Sequence, residues 1–362
     1  MTPPKKNVFL DIDTAYSKGL IIVCMAAALL IIFGLAFNRV KIEDPRPELT
    51  HITSITIREL GAFTVKVEAG MFIKNFPSFD VAKNKFIIDS VVWFEYNADE
   101  VMPETIDHFT IDRGSILSKS PADIRITGNR IFAKYNVIFS VSCDLYYRRF
   151  PFNDHRLVIL LANNNVTPEE MYYTTDKTAF QIAPNIFPTD WTLFGLDVDA
   201  GYQELKLDPQ DASKKIQNPK ALFIINIVKA STRKLLLIFL PIFSAVFFSL
   251  FSFTLNIANV VGKTSLALSA VTALLGYRFV LEQMIPNVGY FTTTDEVYLF
   301  LLIMAFIIFI FQLFITRKFM VRSEEEKKAL KGKLDPLEIT NRNGFLLLSL
   351  LFITTCAYLL LK

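Results

Sequence analysis

Two rhythms of apolar residues divide the chain. Between Asn38 and Thr232 apolar positions alternate with polar ones: Ile52, Ile55, Ile57, then Phe63, Val65, Val67, then Ile87, Val91, Trp93, and later Val137, Phe139, Val141 and Leu157, Ile159, Leu161. A period of two marks a strand with one buried face. Turn material at Asn75–Ser78, Asn97–Asp99, Thr127–Asn129 and Asn163–Asn165 suits short antiparallel strands. The segment therefore predicts an all-β, immunoglobulin-like sandwich of about ten strands. The polar stretch Leu205–Pro219 predicts an exposed hairpin tip.

Elsewhere the apolar residues run almost unbroken. Five stretches, Gly19–Phe37, Leu235–Leu255, Ser265–Leu281, Val297–Thr316 and Phe345–Leu361, reach or approach the roughly 20 helical residues that cross a hydrocarbon core of about 30 Å. Composition agrees, with 52% hydrophobic residues, 34 Phe and a mean hydropathy of +0.37, too apolar for an ordinary soluble protein. Phe37, Asn38 and Arg39 close the first stretch without a small-residue cleavage site, so it reads as a retained anchor and not a removed signal. The expected organisation is a cytoplasmic N-terminus (1–18), a transmembrane anchor (19–37), an external β-domain (38–232), bundle helices at 233–255, 262–282, 297–316 and 344–362, and a cytoplasmic loop (317–343).

Charge sets the orientation. The loop from Arg317 to Arg342 is rich in Lys and Arg, whereas Glu282–Glu296 contains neither, which places the first in the cytoplasm and the second outside. The β-domain is then periplasmic or extracellular, in a multi-pass protein of the inner membrane. A net charge of +3 without a basic, aromatic-laced cluster gives no reason to expect nucleic acid. Cys24 and Cys356 fall in membrane stretches and Cys143 in the β-domain, so no disulfide within the chain is expected.

The third stretch carries a polar stripe. Ser265, Ser269, Thr272, Gly276 and Gln283 share one helical face, and Phe279 falls near its outer end. Such a face suits a water-filled path shared by several chains, and it equally suits close helix packing through small residues.

An ordered set of motifs resembles the pentameric ligand-gated ion channels, the Cys-loop receptor family, from about His51 onward. Phe150, Pro151, Phe152 and Asn153, leading into Leu157 and Ile159, are similar to the family's Phe-Pro-Phe-Asp turn. Cys143 stands at the family's first loop Cys, but Leu157 occupies the second, as in bridgeless bacterial members. Pro241 matches the Pro of the first bundle helix, the stripe matches the pore helix, and Ile285, Pro286, Tyr290, Thr292 and Asp295 match the run after it. The extra N-terminal span departs from the pattern.

The resemblance implies a homopentamer in a lipid bilayer that conducts inorganic ions and takes a small-molecule ligand, with no cofactor and no metal site. It implies a pore lined by Ser265, Ser269, Thr272, Gly276, Phe279 and Gln283, with Phe279 either a hydrophobic gate or a packing residue, because Thr272 replaces the family's usual Leu. Hydroxyl rings and Glu282 favour cations, although Gly262 before Lys263 offers no inner acidic ring. Coupling is expected through Phe150, Pro151, Phe152, Asn153, Asp154, Lys229, Pro286 and Tyr290. Asn153 and Lys229 stand where the family pairs Asp with Arg, so either Asp154 takes over as the partner of Lys229 or gating is tuned differently. Ligand candidates by position are Trp93, Tyr96, Asn164 and Tyr202, each also readable as packing. His108 and His155 are possible reporters of pH.

No phosphate loop, metal spacing or nucleophile turn points to an enzyme. Asp197, Asp199 and Glu204 read as solvated carboxylates or a divalent-ion cluster. The rival from another class is an anchored periplasmic sensor or assembly protein that does not conduct, and such a protein has no need of the aligned stripe.

Overall fold

The computed structural model describes residues 19, 22–27, 42–53, 64–208, 210–211, 214–229, 233–323, 326 and 335–361. The expected anchor beyond residue 27, the alternation at Ile55, Ile57 and Phe63, most of the loop at 324–334 and the Cys356 side chain lie outside the described residues. The chain divides into two units: Val40–Tyr146 with Asn153–Ser231, and Met1–Arg39 with Tyr147–Phe152 and Thr232–Lys362.

Among the described residues the first unit holds eleven strands in two sheets. Seven belong to one: β1 (Val65–Asp80), β2 (Lys85–Asn97), β4 (Gly114–Lys119), β5 (Asp123–Thr127), β6 (Arg130–Ser142), β8 (Met171–Thr174) and β9 (Phe180–Ile182). The other contains β10 (Trp191–Lys206), β11 (Lys215–Lys229), β7 (His155–Asn163) and β3 (Phe109–Asp112), in that spatial order. A short helix, α1 (Pro103–Asp107), precedes β3. Neither sheet closes into a barrel. Aromatic rings join their inner faces: Phe94 of β2 lies 5.2 Å from Phe109 of β3, Phe109 lies 5.1 Å from Tyr135 of β6, and Phe180 lies 5.1 Å from Phe223. Offset and edge-on ring pairs of this kind strengthen a core beyond the area they bury.

Val137, Phe139, Val141, Leu157, Ile159 and Leu161 all face inward as the alternation predicts. Strand β2 does not. Its buried set is Phe86, Ile88, Val92, Phe94 and Tyr96, and Ile87, Val91 and Trp93 stand half-buried on the other face. Both faces of β2 are apolar, so alternation alone does not choose between two registers one residue apart. Asn75–Ser78 is not a turn either. Strand β1 runs through it with register shifts at Ile73/Asn75 and Asn75/Ser78, and the chain turns at Val81–Asn84, where Asn84 takes a φ of 57° that Asn tolerates. Strands β8 and β9 pair parallel with β1, against the antiparallel expectation. The hairpin tip is shorter than Leu205–Pro219, because the β10–β11 ladder extends to Lys206 and Lys215.

The second unit contains α2 (Arg233–Phe251), extended by a 3-10 turn at Ser252–Thr254, then α3 (Val260–Met284), α4 (Thr293–Met320) and α5 (Pro336–Leu361). Among the described residues three segments are long and apolar enough to cross a membrane: Leu235–Thr254, Val260–Met284 and Thr293–Met320, with mean hydropathies of 2.4, 1.5 and 2.8. The protein is therefore membrane-associated. Their shared core gathers Ile238, Ile242 and Val246 of α2, Leu274 of α3, Leu301 and Ile308 of α4, and Phe345 and Phe352 of α5. Cys24, in the helical stretch 22–27, is buried in the same cluster.

Local capping sets the helix starts. The Asn259 side chain accepts the Gly262 N–H at 3.0 Å before α3. Thr292 and Asp295 form a reciprocal capping box before α4. Helix α5 begins at Pro336, earlier than the expected 344, because Asp335 accepts the Leu337 N–H at 2.8 Å and is itself paired with Arg322. Helix α4 likewise starts at Thr293 and runs to Met320, beyond the apolar stretch 297–316 at both ends.

Candidate functional site

Helix α3 has two unlike faces. Lys263, Ala267, Ala270, Val271, Leu274 and Leu281 are buried. Ser265, Ser269, Thr272, Gly276, Phe279 and Gln283 are all exposed in the single chain. At about 100° per residue these six fall within an arc of about 80°, centred opposite the buried face. Phe279 is 71% exposed, and a Cβ on Gly276 would meet nothing within 4 Å.

The hydroxyls on this face are oriented by their own helix. Ser269 donates to the Ser265 carbonyl at 2.7 Å and Thr272 to the Leu268 carbonyl at 3.1 Å. Each proton is directed back along the backbone, so the oxygen lone pairs remain available on the exposed side.

Each end of α3 is fixed by polar contacts that the sequence reading missed or read incompletely. At the C-terminal end Arg278 donates to Glu282 at 3.2 Å and to Asp295 at 2.8 Å, and its guanidinium lies 5.6 Å from the Tyr298 ring centroid. Glu282 is thus matched by a cation on its own helix, which weakens it as a source of negative potential. At the N-terminal end Lys263 is fully buried, away from the exposed stripe, and donates to Asn341 of α5 at 3.0 Å and to the Leu255 carbonyl at 3.4 Å. Asn341 in turn donates to the Phe253 carbonyl at 3.0 Å.

The predicted coupling residues separate into two groups. Within the helical unit, the loop Tyr147–Phe152 is bonded to the residues that open α4. The Tyr147 N–H donates to the Tyr290 hydroxyl at 2.9 Å, Thr293 donates twice to the Arg148 carbonyl, and Thr294 donates twice to the Phe150 carbonyl at distances between 2.9 and 3.2 Å. The Phe150–Pro151 peptide is cis. Phe152 stacks on Phe239 with centroids 5.8 Å apart, and Pro286 is half-buried in the turn after α3. Thr293 and Thr294 belong to this contact although the sequence reading named only their neighbours. Within the β unit, the Asn153 side chain donates to the Tyr146 carbonyl. Asp154 accepts the main-chain N–H of Lys229 at 3.4 Å, so Asp154 does meet Lys229, through the backbone.

The four ligand candidates form two pairs of places. Trp93 and Tyr96 are on the seven-stranded sheet but on opposite faces of β2. The Trp93 indole covers Gly70, where a Cβ would come within 2.1 Å of it, and lies 5.6 Å from Phe132. Tyr96 is buried, which pushes its phenol pKa up, and it borders a polar hollow of about 330 Å³ with Lys66, Glu68, Glu95 and Arg130. On the other sheet, Asn164 accepts from Asn218 at 2.8 Å, and Asn218 pairs with Gln203 next to Tyr202. Asn164 therefore lies on the face that Asn218 and Gln203 share, and Tyr202, one residue from Gln203, projects from the opposite face.

His108 is exposed, whereas His155 is buried against Asp44 at 3.1 Å. The carboxylates of the hairpin do not gather: Asp197 pairs with Lys177, Asp199 with Arg46 and His51, and Glu204 with Lys215. Among the described residues no cluster of His, Cys, Asp and Glu could hold a metal ion.

Compared with models of known protein families and with curated proteins, the chain matches none.

Proposed function

We propose that the chain is one subunit of a homopentameric ligand-gated ion channel whose pore is lined by Ser265, Ser269, Thr272, Gly276, Phe279 and Gln283 of five α3 helices. The observation that carries this reading is the exposure of all six on a narrow arc of an apolar helix whose opposite face is packed. Hydroxyls and a glycine facing lipid have no use for their polarity, whereas copies arranged about an axis turn the same stripe toward water. Phe279 is then a hydrophobic constriction near the outer mouth.

The lone pairs that Ser269 and Thr272 leave outward favour a partly hydrated cation. The Arg278–Glu282 pair contributes little in either direction. In this reading α5 is a fourth crossing and residues 19–37 a fifth, in an inner membrane with the N-terminus cytoplasmic and the β unit periplasmic or extracellular. The excess of Lys and Arg in residues 317–342 supports that orientation. The bonds from Tyr290, Thr293 and Thr294 to Tyr147–Phe152 support this loop as the coupling element. The ligand is a small molecule, and the division of the candidates between the two sheets, Trp93 and Tyr96 at one and Asn164 and Tyr202 at the other, fits a site that a neighbouring subunit completes.

The native mass of the detergent-solubilised protein tests the assembly without knowledge of the ligand. Five chains of 41.2 kDa support the shared pore. A monomer or dimer overturns it, reduces the stripe to helix packing and favours a membrane-anchored sensor or assembly protein.

A further inference from the structure

The loop Tyr147–Phe152 hangs from two stems, Tyr146 on one side and Asn153–Arg156 on the other. A single carboxylate from far earlier in the chain joins them. Asp44 accepts the Tyr146 N–H through Oδ1 and the Arg156 N–H through Oδ2, both at 2.6 Å, and Oδ2 also lies 3.1 Å from His155 Nδ1. The Arg156 guanidinium returns to the Asp44 carbonyl at 3.1 Å, and Ile42 forms a parallel bridge with Asp154. The Asp44 and His155 side chains are 1% and 2% exposed. The segment carrying Asp44 is fixed further along by Arg46 on Asp199, by Leu49 packed on Leu160 and Leu222, and by the Thr50–Tyr202 bridge.

A carboxylate this deeply buried persists only when its oxygens are hydrogen-bonded. Here the donors are two main-chain amides, one on each stem, and they fix the stem spacing whatever side chains those positions carry. We propose that Asp44 is a positioning residue for the coupling loop: a buried clamp across the neck of Tyr147–Phe152, carried by the segment that leads in from the N-terminal end of the chain. The clamp's effect on gating rests on the channel reading; its existence does not.

Hydrogen exchange on the full-length protein in detergent, paired with sodium flux from liposomes, separates the two. Asp44→Asn puts an NH2 group against a backbone N–H. The Tyr146 and Arg156 amides should then exchange at least tenfold faster while Val137–Val141 of β6 keep their protection, and resting flux should change at least threefold. Unchanged exchange at both amides overturns the clamp. Faster exchange with unaltered flux, in a wild-type protein that conducts, overturns the positioning role. A wild-type protein that passes no current removes the channel reading instead and leaves exchange to decide on the clamp. If Asp44→Asn does not assemble, Arg156→Gln, which deletes the guanidinium bonds to the Asp44 carbonyl and to Asn226 but keeps the Asp44 carboxylate, is read at the same amides, with faster exchange expected and no change counting against the clamp.

Discussion

Replacing Asp295 by alanine tests how the end of α3 is held to the start of α4. One oxygen of this carboxylate accepts the Thr292 N–H at 3.0 Å and the Thr292 hydroxyl at 2.8 Å, and the other accepts from Arg278 at 2.8 Å. Losing a helix cap costs about 1 kcal/mol. A hydrogen bond to a charged group contributes about 1.5–3 kcal/mol when well shielded. Arg278 is 37% exposed and Asp295 11%, so solvent screening lowers that pair to about 1–1.5 kcal/mol. Arg278 keeps Glu282 and the face of Tyr298, which limits any penalty for a stranded cation. The sum is about 2–2.5 kcal/mol, or a fall of about 4–10 °C in the thermal midpoint at ~2–4 °C per kcal/mol. Near-ultraviolet circular dichroism of the detergent-solubilised protein reads the midpoint. A cycle of Asp295→Ala and Arg278→Gln should return about 1 kcal/mol of coupling, and a value below about 0.3 kcal/mol, the scatter for independent sites, refutes the reasoning.

Phe279→Ala should raise resting leak from liposomes, and an unchanged leak in a correctly assembled protein would exclude the phenyl ring as the constriction. Burial pushes the Cys143 thiol up to about 12, leaving about one molecule in 10⁴ as thiolate at pH 8; iodoacetamide should label Cys143 only after denaturation, and rapid native labelling contradicts that burial. The Arg322 guanidinium holds the Asp335 carboxyl below the ordinary carboxylate range. Since the folded value is the lower one, its contribution is full above the unfolded value of about 4 and disappears as pH falls through the lowered folded value. Exchange at the Leu337 amide should therefore accelerate only in strong acid, and Asp335→Asn should abolish that dependence. Gly70→Ala should cost about 1–3 kcal/mol by overpacking and shift tryptophan fluorescence, because its Cβ would occupy space held by Trp93; an unaltered emission spectrum counts against this packing.

Where one rule governed a segment, the sequence was enough. Strand β6 sets Val137, Phe139 and Val141 against a mostly polar opposite face, so alternation gave its inward residues; on β7 the set Leu157, Ile159, Leu161 is buried, but Leu160 and Ala162 of the other face are buried too, covered in part by Leu49. The α3 stripe followed from helical period alone, because no other element among the described residues covers that face. Strand β2 failed because both its faces are apolar, and the choice is made by neighbours: Gly70 leaves room for the Trp93 indole on the outer face, while Phe94 meets Phe109 within. Asn75 and Pro77 look like a turn locally, yet the β1–β2 ladder absorbs them as irregularities. Of the candidate site, Tyr290 and Asp295 were legible through their motif. Arg278 sat in plain view without a visible partner. Asp44 had no local signal, since its partners Tyr146 and Arg156 are 102 and 112 residues away in sequence.

The bridge between Thr50 and Tyr202 has a practical meaning. Among the described residues strand β10 is an outermost strand of its sheet, and an uncovered strand edge invites pairing with another molecule. Thr50 exchanges two main-chain hydrogen bonds with Tyr202, at 2.9 and 3.0 Å, and lies so close that any side chain at Gly201 would strike its carbonyl. Thr50 therefore covers the edge of β10 at Tyr202, where a second molecule would otherwise pair. A version of the β unit that begins at Val65, where the first strand among the described residues starts, would lose the Thr50 bridge and should self-associate more readily than one that begins ahead of Ile42.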